Sequence, residues 1–319
     1  FETLTGNKCL VDTFDRNFQF NVEHVSLAKL ADIFLVAPAS ADVIGKIANG
    51  IADDMLTTTI MACKCPKLIS PAMNTNMFTN PIVQDNLKKL EHYGYEIIQP
   101  DSGYLACGDT GAGKMPSEQV LLNYILRTIA KDKDMTGIKL TVTAGPTREK
   151  LDPVRFLSNN STGKMGYAIA KMAMLRGADV TLISGKVSLE PVPFVKMVDI
   201  VSAEDMYNAV IKSAKDADII IKAAAVADYR PSDVSDEKIK KKDGDMSIPL
   251  ERTKDIIGTL GNNKRDGLFL CGFSMETEHM LDNSKVKLTK KNLDMIVANN
   301  VKVAGAGFGT DTNVVTVIT

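Results

Sequence analysis

The sequence predicts an α/β protein: two doubly wound, mostly parallel-sheet Rossmann-like domains in tandem. Three observations lead there. Short apolar, β-branched runs alternate with stretches of helical periodicity along the whole chain, the pattern of parallel strands covered by helices on both faces. The length, 319 residues, suits two domains of roughly 150 residues each. The alternation then breaks at Lys131-Asp132-Lys133-Asp134, with Gly137 close behind, a charged run typical of a connection between packed units. The boundary falls there, giving domains over residues 1–134 and 135–319.

In the first domain, residues 33–38, 67–71 and 95–99 read as buried strands. Residues 22–30, 41–49, 81–92 and 118–130 carry the apolar spacing of amphipathic helices. The second domain opens with a strand at 139–144, a long loop, a helix at 164–176 and a strand at 179–184. A strand at 195–198, a helix at 203–217 and a strand at 219–224 follow, then a polar excursion over 228–248. A helix at 254–261 and strands at 267–273 and 295–297 come next, and 314–319 is again strand-like. No repeat of fixed period and no low-complexity stretch interrupts the series.

Composition narrows the class. The chain has 38 basic and 39 acidic residues, a formal charge of −1, which argues against broad electrostatic binding to nucleic acid or an anionic membrane. The basic run 238–242 is local. Apolar runs such as 33–39 and 219–227 fall short of the roughly 18 residues that span a bilayer. Five cysteines in no framework spacing point to a reduced, cytoplasmic setting. Cys63 and Cys65 are too close for a zinc knuckle, and three histidines make a transition-metal site a poor expectation.

In open parallel sheets, ligands sit outside the carboxyl ends of the strands, so the loops there are where chemistry is sought. Pro38-Ala39-Ser40-Ala41-Asp42 follows one strand and opens a helix; its small residues would let backbone amides reach an anion, though Ser40 serves equally as an ordinary cap. Pro71-Ala72-Met73-Asn74-Thr75-Asn76-Met77 offers amides and thioethers for an apolar pocket with a few polar groups, or simply an Asx-rich turn with Met as filler. Four glycines surround Cys107 between residues 103 and 114, a density that reads as a mobile lid carrying a thiol rather than as helix or strand. His24 lies early in a helix that Asn21 would cap, where the helix N-terminus disfavours imidazolium.

Taken together, these motifs resemble a known family. His24 before Leu27-Ala28-Lys29, then Ala37-Pro38-Ala39-Ser40-Ala41-Asp42, Ala52-Asp53-Asp54-Met55-Leu56, Pro71-Ala72-Met73-Asn74 and Ala106-Cys107-Gly108-Asp109 occur in the order found in flavin-dependent cysteine decarboxylases. The match is with the decarboxylase half of the bacterial bifunctional phosphopantothenoylcysteine decarboxylase / phosphopantothenate–cysteine ligases of coenzyme A synthesis. That resemblance implies FMN against Ala39, Ser40, Asp53 and Met73. It makes His24 the active-site base, Asn74 the holder of the substrate carboxylate and Cys107 the proton donor. A carboxylate resists decarboxylation until its electrons have somewhere to go; in this family oxidation of the substrate thiol to a thioaldehyde provides the place, and protonation of the enethiolate completes the reaction.

In the second domain, Thr143-Ala144-Gly145-Pro146-Thr147-Arg148-Glu149 follows the first strand, and the run 151–166, including Asn159, leads into a helix. Small hydroxyl, amide and glycine residues at such a place suit phosphate. That makes a nucleotide a candidate ligand, but the Walker A spacing and the dinucleotide fingerprint are both missing, so NAD is not indicated. Ala223-Ala224-Ala225-Val226-Ala227-Asp228-Tyr229 ends a strand, and Lys238, Lys240 and Lys241 follow where lysines could meet a triphosphate; a charge run of this kind is more often a solvated face.

These motifs, with Lys290-Lys291-Asn292-Leu293-Asp294-Met295, resemble the ligase half of the same bifunctional family. The resemblance implies that CTP, with Mg²⁺ on its phosphates, activates the carboxylate of 4′-phosphopantothenate as an acyl-cytidylate, which cysteine's amine then attacks. It gives Asn159 and Lys238 to catalysis, Lys238 also meeting CTP, and has Asp228, Ala224 and Phe273 line the nucleotide site. It further implies homo-oligomers, trimeric through the flavin domains and dimeric through the ligase domains. The family's first strand and Gly-rich loop would precede Phe1, and its last helix would follow Thr319. Phe78 stands where many relatives have Trp. The alternative is a non-catalytic flavin-binding regulatory subunit; such relatives lose the catalytic residues, whereas His24, Asn74 and Cys107 are present.

Overall fold

A computed structural model describes every residue except 12, 14–21, 105–107, 109, 242–245, 277–279 and 301–310. The chain divides into two units, Phe1–Lys131 and Asp132–Thr319.

The first unit runs α1 (Glu2–Thr5), α2 (Glu23–Leu30), β1 (Phe34–Ala39), α3 (Ala41–Asn49), α4 (Met55–Ala62), β2 (Lys67–Pro71), α5 (Thr75–Phe78), α6 (Pro81–His92), β3 (Glu96–Ile97), β4 (Asp101–Tyr104), β5 (Thr110–Lys114) and α7 (Glu118–Ile129). β1, β2 and β3 form a parallel sheet in that order, with Val36 beside Ile69 and Ile69 beside Ile97. Successive strand residues point to opposite faces, so Ile69 joins Val36, Ile44, Ile60 and Leu90 in one core while Leu68 joins Ile98 and Leu121 in the other. Burying each such side chain contributes about 1.5–3 kcal/mol.

Helix α3 places Ile44, Ile47 and Ala48 on its buried face, is capped by Ser40 and stops at left-handed Gly50. Helix α4 is absent from the sequence reading because Thr57-Thr58-Thr59 favours extended chain. A reciprocal capping box between Asp54 and Thr57 starts it, and the Thr59 hydroxyl donates to the Met55 carbonyl at 2.6 Å.

The expectation of a strand-free glycine lid is overturned in its described part. Asp101–Tyr104 and Thr110–Lys114 pair as an antiparallel hairpin, with Gly103 opposite Gly111. The glycines serve close packing instead. A Cβ on Gly113 would collide with the Met73 carbonyl oxygen, and one on Gly111 would press on the Thr75 hydroxyl.

The second unit runs β6 (Lys139–Ala144), β7 (Arg148–Lys150), β8 (Phe156–Ser158), α8 (Lys164–Leu175), β9 (Asp179–Ser184), β10 (Lys196–Asp199), α9 (Ala203–Ser213), β11 (Ile219–Lys222), β12 (Tyr229–Pro231), β13 (Leu250–Arg252), α10 (Ile256–Asn262), β14 (Phe269–Glu276), α11 (Met280–Lys290), β15 (Met295–Asn300) and β16 (Val315–Ile318). Seven strands form one sheet in the order β10-β9-β6-β11-β14-β15-β16. All neighbours are parallel except the antiparallel pair β15 and β16. Leu140, Val142, Ala170 and Leu182 fill one face and Ile220, Met206, Ile256 and Leu270 the other. The chain moves outward from β6 to β10, then returns to β6's other side with β11. The strand order therefore reverses between β6 and β11, the place where open α/β sheets bind ligands.

Candidate functional sites at the carboxyl ends of the two sheets

In the first unit, three segments meet beyond β1 and β2. The Ala72 amide donates to the Ala39 carbonyl at 3.0 Å, and the Met73 amide donates to the Gly113 carbonyl at 3.0 Å. The β1 end, the loop after β2 and the β4–β5 hairpin are thus stitched together by backbone hydrogen bonds. Ala39 is fully buried, while Ala37, Pro38 and Ser40 are exposed, leaving a small-residue rim open to a ligand. The Ser40 hydroxyl accepts from the Val43 amide at 3.3 Å.

Asn74 caps α5, its Oδ1 accepting from the Asn76 amide at 2.8 Å. Met73 packs on the unit's core. Asp53 is exposed and pairs with Lys46 at 3.1 Å; the same ammonium lies 3.5 Å from Asp42 and 3.6 Å from Asp54. Hydrogen bonding to Asp53 is the chief cause that raises the Lys46 pKa, so it stays cationic. His24 sits in the first turn of α2 and is partly buried. The cap there is Val22, with no side-chain hydrogen bond, in place of the expected Asn21. Cys107 lies outside the described residues.

In the second unit, hydrogen bonds close the reversal point. The Thr143 hydroxyl accepts from the Ala224 amide at 3.1 Å, and the Thr147 hydroxyl accepts from the Ala227 amide at 3.0 Å. Ala225 donates to Gly145 and accepts from Thr147. Asn159 reaches the same place, donating from Nδ2 to the Ala225 carbonyl at 3.0 Å. Glycine shapes the floor: a Cβ on Gly166 would come within 2.5 Å of the Ala144 Cβ, so α8 can approach β6 only without one.

Phe273 is one step beyond Gly272, which pairs with Lys222, and so stands near the level of Ala223, just past the end of β11. Asp228 is exposed, its carbonyl accepting from the Thr253 amide at 3.0 Å. The structure thus brings Asn159, Ala224 and Phe273 to one edge. Lys238 is exposed in an irregular loop. That loop is anchored beside it: Asp152 accepts from the Ile239 amide at 3.2 Å, and Arg155 donates to the Ile239 carbonyl at 2.6 Å. Burial opposes ionisation of Asp152, but hydrogen bonds from Arg155 and three backbone amides outweigh it and hold the carboxyl far below the usual range.

Lys222, at the end of β11, is hidden in an apolar run and is not among the residues expected from the sequence. Its one visible signal is a single lysine in Ile219-Ile220-Ile221-Lys222-Ala223-Ala224. Burial lowers its pKa, the charge of Lys291 adds to this, and Asp255 and Asp228 pull the other way. Asp255 caps α10 through Gly258 and pairs with Lys291 at 2.9 Å. Among the described residues, no group of three or more His, Cys, Asp or Glu side chains could hold a metal ion, and no helix is long and apolar enough to cross a membrane.

Comparison with known proteins defines the class. The model described as Flavoprotein matches residues 1–130, and that for the DNA/pantothenate metabolism flavoprotein C-terminal domain matches residues 135–319. The chain is therefore a two-domain flavoprotein of pantothenate metabolism. It is 47% identical over 320 residues to the coenzyme A biosynthesis bifunctional protein CoaBC of Bacillus subtilis, covering 99% of this chain and 79% of that protein. A cysteine/cysteine sulfinic acid decarboxylase from an unknown prokaryotic organism is 43% identical over 321 residues, covering 99% of this chain and 89% of that protein. The solved C-terminal domain of a CoaBC protein shares 45% identity, covers 59% of this chain and 83% of that chain, and has a TM-score of 0.49. The chain belongs to the CoaBC family, the bifunctional decarboxylase–ligase enzymes of coenzyme A biosynthesis.

Proposed function

We propose that the second unit joins 4′-phosphopantothenate to cysteine at the expense of CTP, and that the first unit decarboxylates the product to 4′-phosphopantetheine with FMN. The observation that carries the ligase reading is the Asn159–Ala225 hydrogen bond at the strand-order reversal. In the activating step, a carboxylate oxygen of 4′-phosphopantothenate attacks the α-phosphorus of CTP and pyrophosphate leaves. Cysteine's amine then attacks the acyl carbon and CMP leaves. One Nδ2 hydrogen of Asn159 is spent on Ala225, which fixes the amide plane and leaves the second hydrogen and Oδ1 for the acyl-cytidylate. Helix α8 begins at left-handed Gly163 without a side-chain cap, so its first amides suit phosphate oxygens. Ala224, Asp228 and Phe273 line the nucleotide site, and Lys238 meets the phosphates with Mg²⁺.

For the first unit, the residues fit a flavin. The buried hydroxyls of Ser70 and Thr75 have no hydrogen-bond partner among the described residues, and they flank the loop that carries Met73 and Asn74. Ala39, Ser40, Asp53 and Met73 would hold the FMN. Bound flavin supplies two-electron oxidation of the substrate thiol. Asn74 holds the departing carboxylate, His24 accepts a proton through a ring nitrogen, and Cys107 returns one from Sγ. The described cysteines are all free thiols, which suits a cytoplasmic enzyme. We take the working form to be a homo-oligomer, trimeric in the flavin units and dimeric in the ligase units.

The test is a product assay of the purified protein with 4′-phosphopantothenate, cysteine, Mg²⁺ and either CTP or ATP. The reading requires CMP and 4′-phosphopantetheine from the CTP mixture. Nucleotide turnover without an amide product would refute the ligase assignment.

A further inference from the structure

The pair Cys63-Lys64-Cys65 takes no part in either reaction above. It lies between the end of α4 and the start of β2. That places it at the amino edge of the first sheet, opposite the loops that carry Ser40 and Asn74. Burial alternates along it: Cys63 is buried and Cys65 half-buried, while Lys64 and Pro66 are exposed. Both sulfurs are thus turned toward the protein, within hydrogen-bonding reach of each other. The backbone is held on either side. The Cys63 amide donates to the Thr59 and Ile60 carbonyls at 3.1 and 3.3 Å, and the Pro66 carbonyl accepts from the Phe34 amide at 2.9 Å.

A cation completes the cluster. Lys67 Nζ donates to the Cys65 carbonyl at 3.2 Å and lies 5.5 Å from the centre of the Tyr95 ring. Burial raises the Cys63 pKa, the charge of Cys65 adds to this, and the Lys67 ammonium pulls the other way. Cys63 therefore keeps its proton in reserve, while Cys65 is the sulfur that a reagent in solution meets first. An ammonium beside two thiols opposes a metal cation and favours a thiolate. Among the described residues no further His, Cys, Asp or Glu completes a metal-binding group here. The chemistry left to the pair is oxidation.

We propose that Cys63 and Cys65 form a redox modification site, a dithiol that a hydroperoxide closes to a disulfide and a small thiol reopens. The Cys65 thiolate attacks one peroxide oxygen, the O–O bond breaks, and the departing hydroxide is protonated to water. The Cys63 sulfur then attacks the sulfenic sulfur of Cys65, and the S–O bond breaks. The Cys63 proton leaves with that oxygen as a second water. Two thiols and one peroxide thus give one disulfide and two waters. The bond closes a three-residue loop, too short to stabilise the chain much by restricting its unfolded state. So tight a ring is strained and readily reduced, which makes it a reversible switch rather than a staple.

The site is tested on the purified full chain with hydrogen peroxide, followed by alkylation and peptide mapping without reduction. Trypsin cuts after Lys64, yet the peptide holding Cys63 should stay bonded to the peptide holding Cys65, with the mass of two hydrogens lost. Reduced glutathione should restore two alkylatable thiols. Exposed Cys9 serves as the lone-thiol control. Cys65→Ser should slow oxidation of Cys63 at least about tenfold, and Lys67→Met should slow closure several-fold. The wild-type map stands whether or not a variant folds. Cys63 and Cys65 still fully alkylatable after Cys9 has been oxidised, either one bonded to a different cysteine instead, or a bond that glutathione does not reopen would each overturn the site.

Discussion

Asn159 and Ala225, 66 residues apart in sequence, meet through a 3.0 Å hydrogen bond from the Asn159 amide to the Ala225 carbonyl. The bond spans the crevice where the second sheet reverses direction, and it ties the loop before α8 to the loop after β11. Removing it should disable one reaction and spare the other. Asn159→Ala should lower CMP formation by roughly 100-fold or more, the scale for losing one positioned donor, while decarboxylation of supplied 4′-phosphopantothenoylcysteine stays near wild type. Parallel loss of both rates would contradict the assignment of Asn159 to the ligase alone.

Gly113 has φ 133°, and a Cβ there would run into the Met73 carbonyl oxygen. Gly113→Ala must therefore both strain the backbone and push the hairpin off the Met73–Asn74 loop. The expected cost is at least about 1–3 kcal/mol, read by calorimetry as a lower melting temperature for the first unit. Flavin content should fall with it, while CMP formation persists.

Lys222 gives a pH signature. Its pKa in the folded protein is lowered, first by burial and then by Lys291, so the charged form is disfavoured on folding. The penalty is full below the folded pKa and fades as pH rises towards the ordinary lysine value of about 10.4. Lys222→Met should consequently be more stable than wild type at pH 7, by an amount of order 1 kcal/mol. The difference should narrow as the pH is raised, which thermal melts across the alkaline range would follow.

Asp152 behaves in the opposite sense. Burial works against its charge, but the bonds from Arg155, Val154 and Ile239 win, and the folded pKa is depressed. Its contribution is present above the ordinary carboxylate range and is lost as pH falls through the folded value. Asp152→Asn should flatten the acid limb of the stability profile. It should also loosen the segment that carries Lys238 and raise the KM for CTP several-fold, with decarboxylation unchanged.

How much was legible in the sequence follows from how local each cause is. Ile219-Ile220-Ile221 announces a buried strand by itself, and so do the capped, periodic helices at Ala41–Asn49 and Pro81–His92. Helix α4 was not legible, because its threonines vote for extended chain and the Asp54–Thr57 capping box outweighs them. The glycines of the hairpin misled for another reason. Their partners, Met73 and Thr75, lie far back in the chain, and only the folded contact explains why side chains are excluded there. For the site, the loops carrying Asn74, Asn159 and Ala224 could be found from motif and strand end. The Thr143 and Thr147 anchors and the lone Lys222 could not, since their meaning depends on neighbours brought by the sheet.

The central claim is that amide formation in the second unit supplies the substrate for decarboxylation in the first. The most direct measurement uses cysteine labelled with ¹³C in its carboxyl group and follows labelled carbon dioxide from the purified protein. The label should be released only when 4′-phosphopantothenate and CTP with Mg²⁺ are both present. Release from cysteine alone would contradict the account and make free cysteine the substrate.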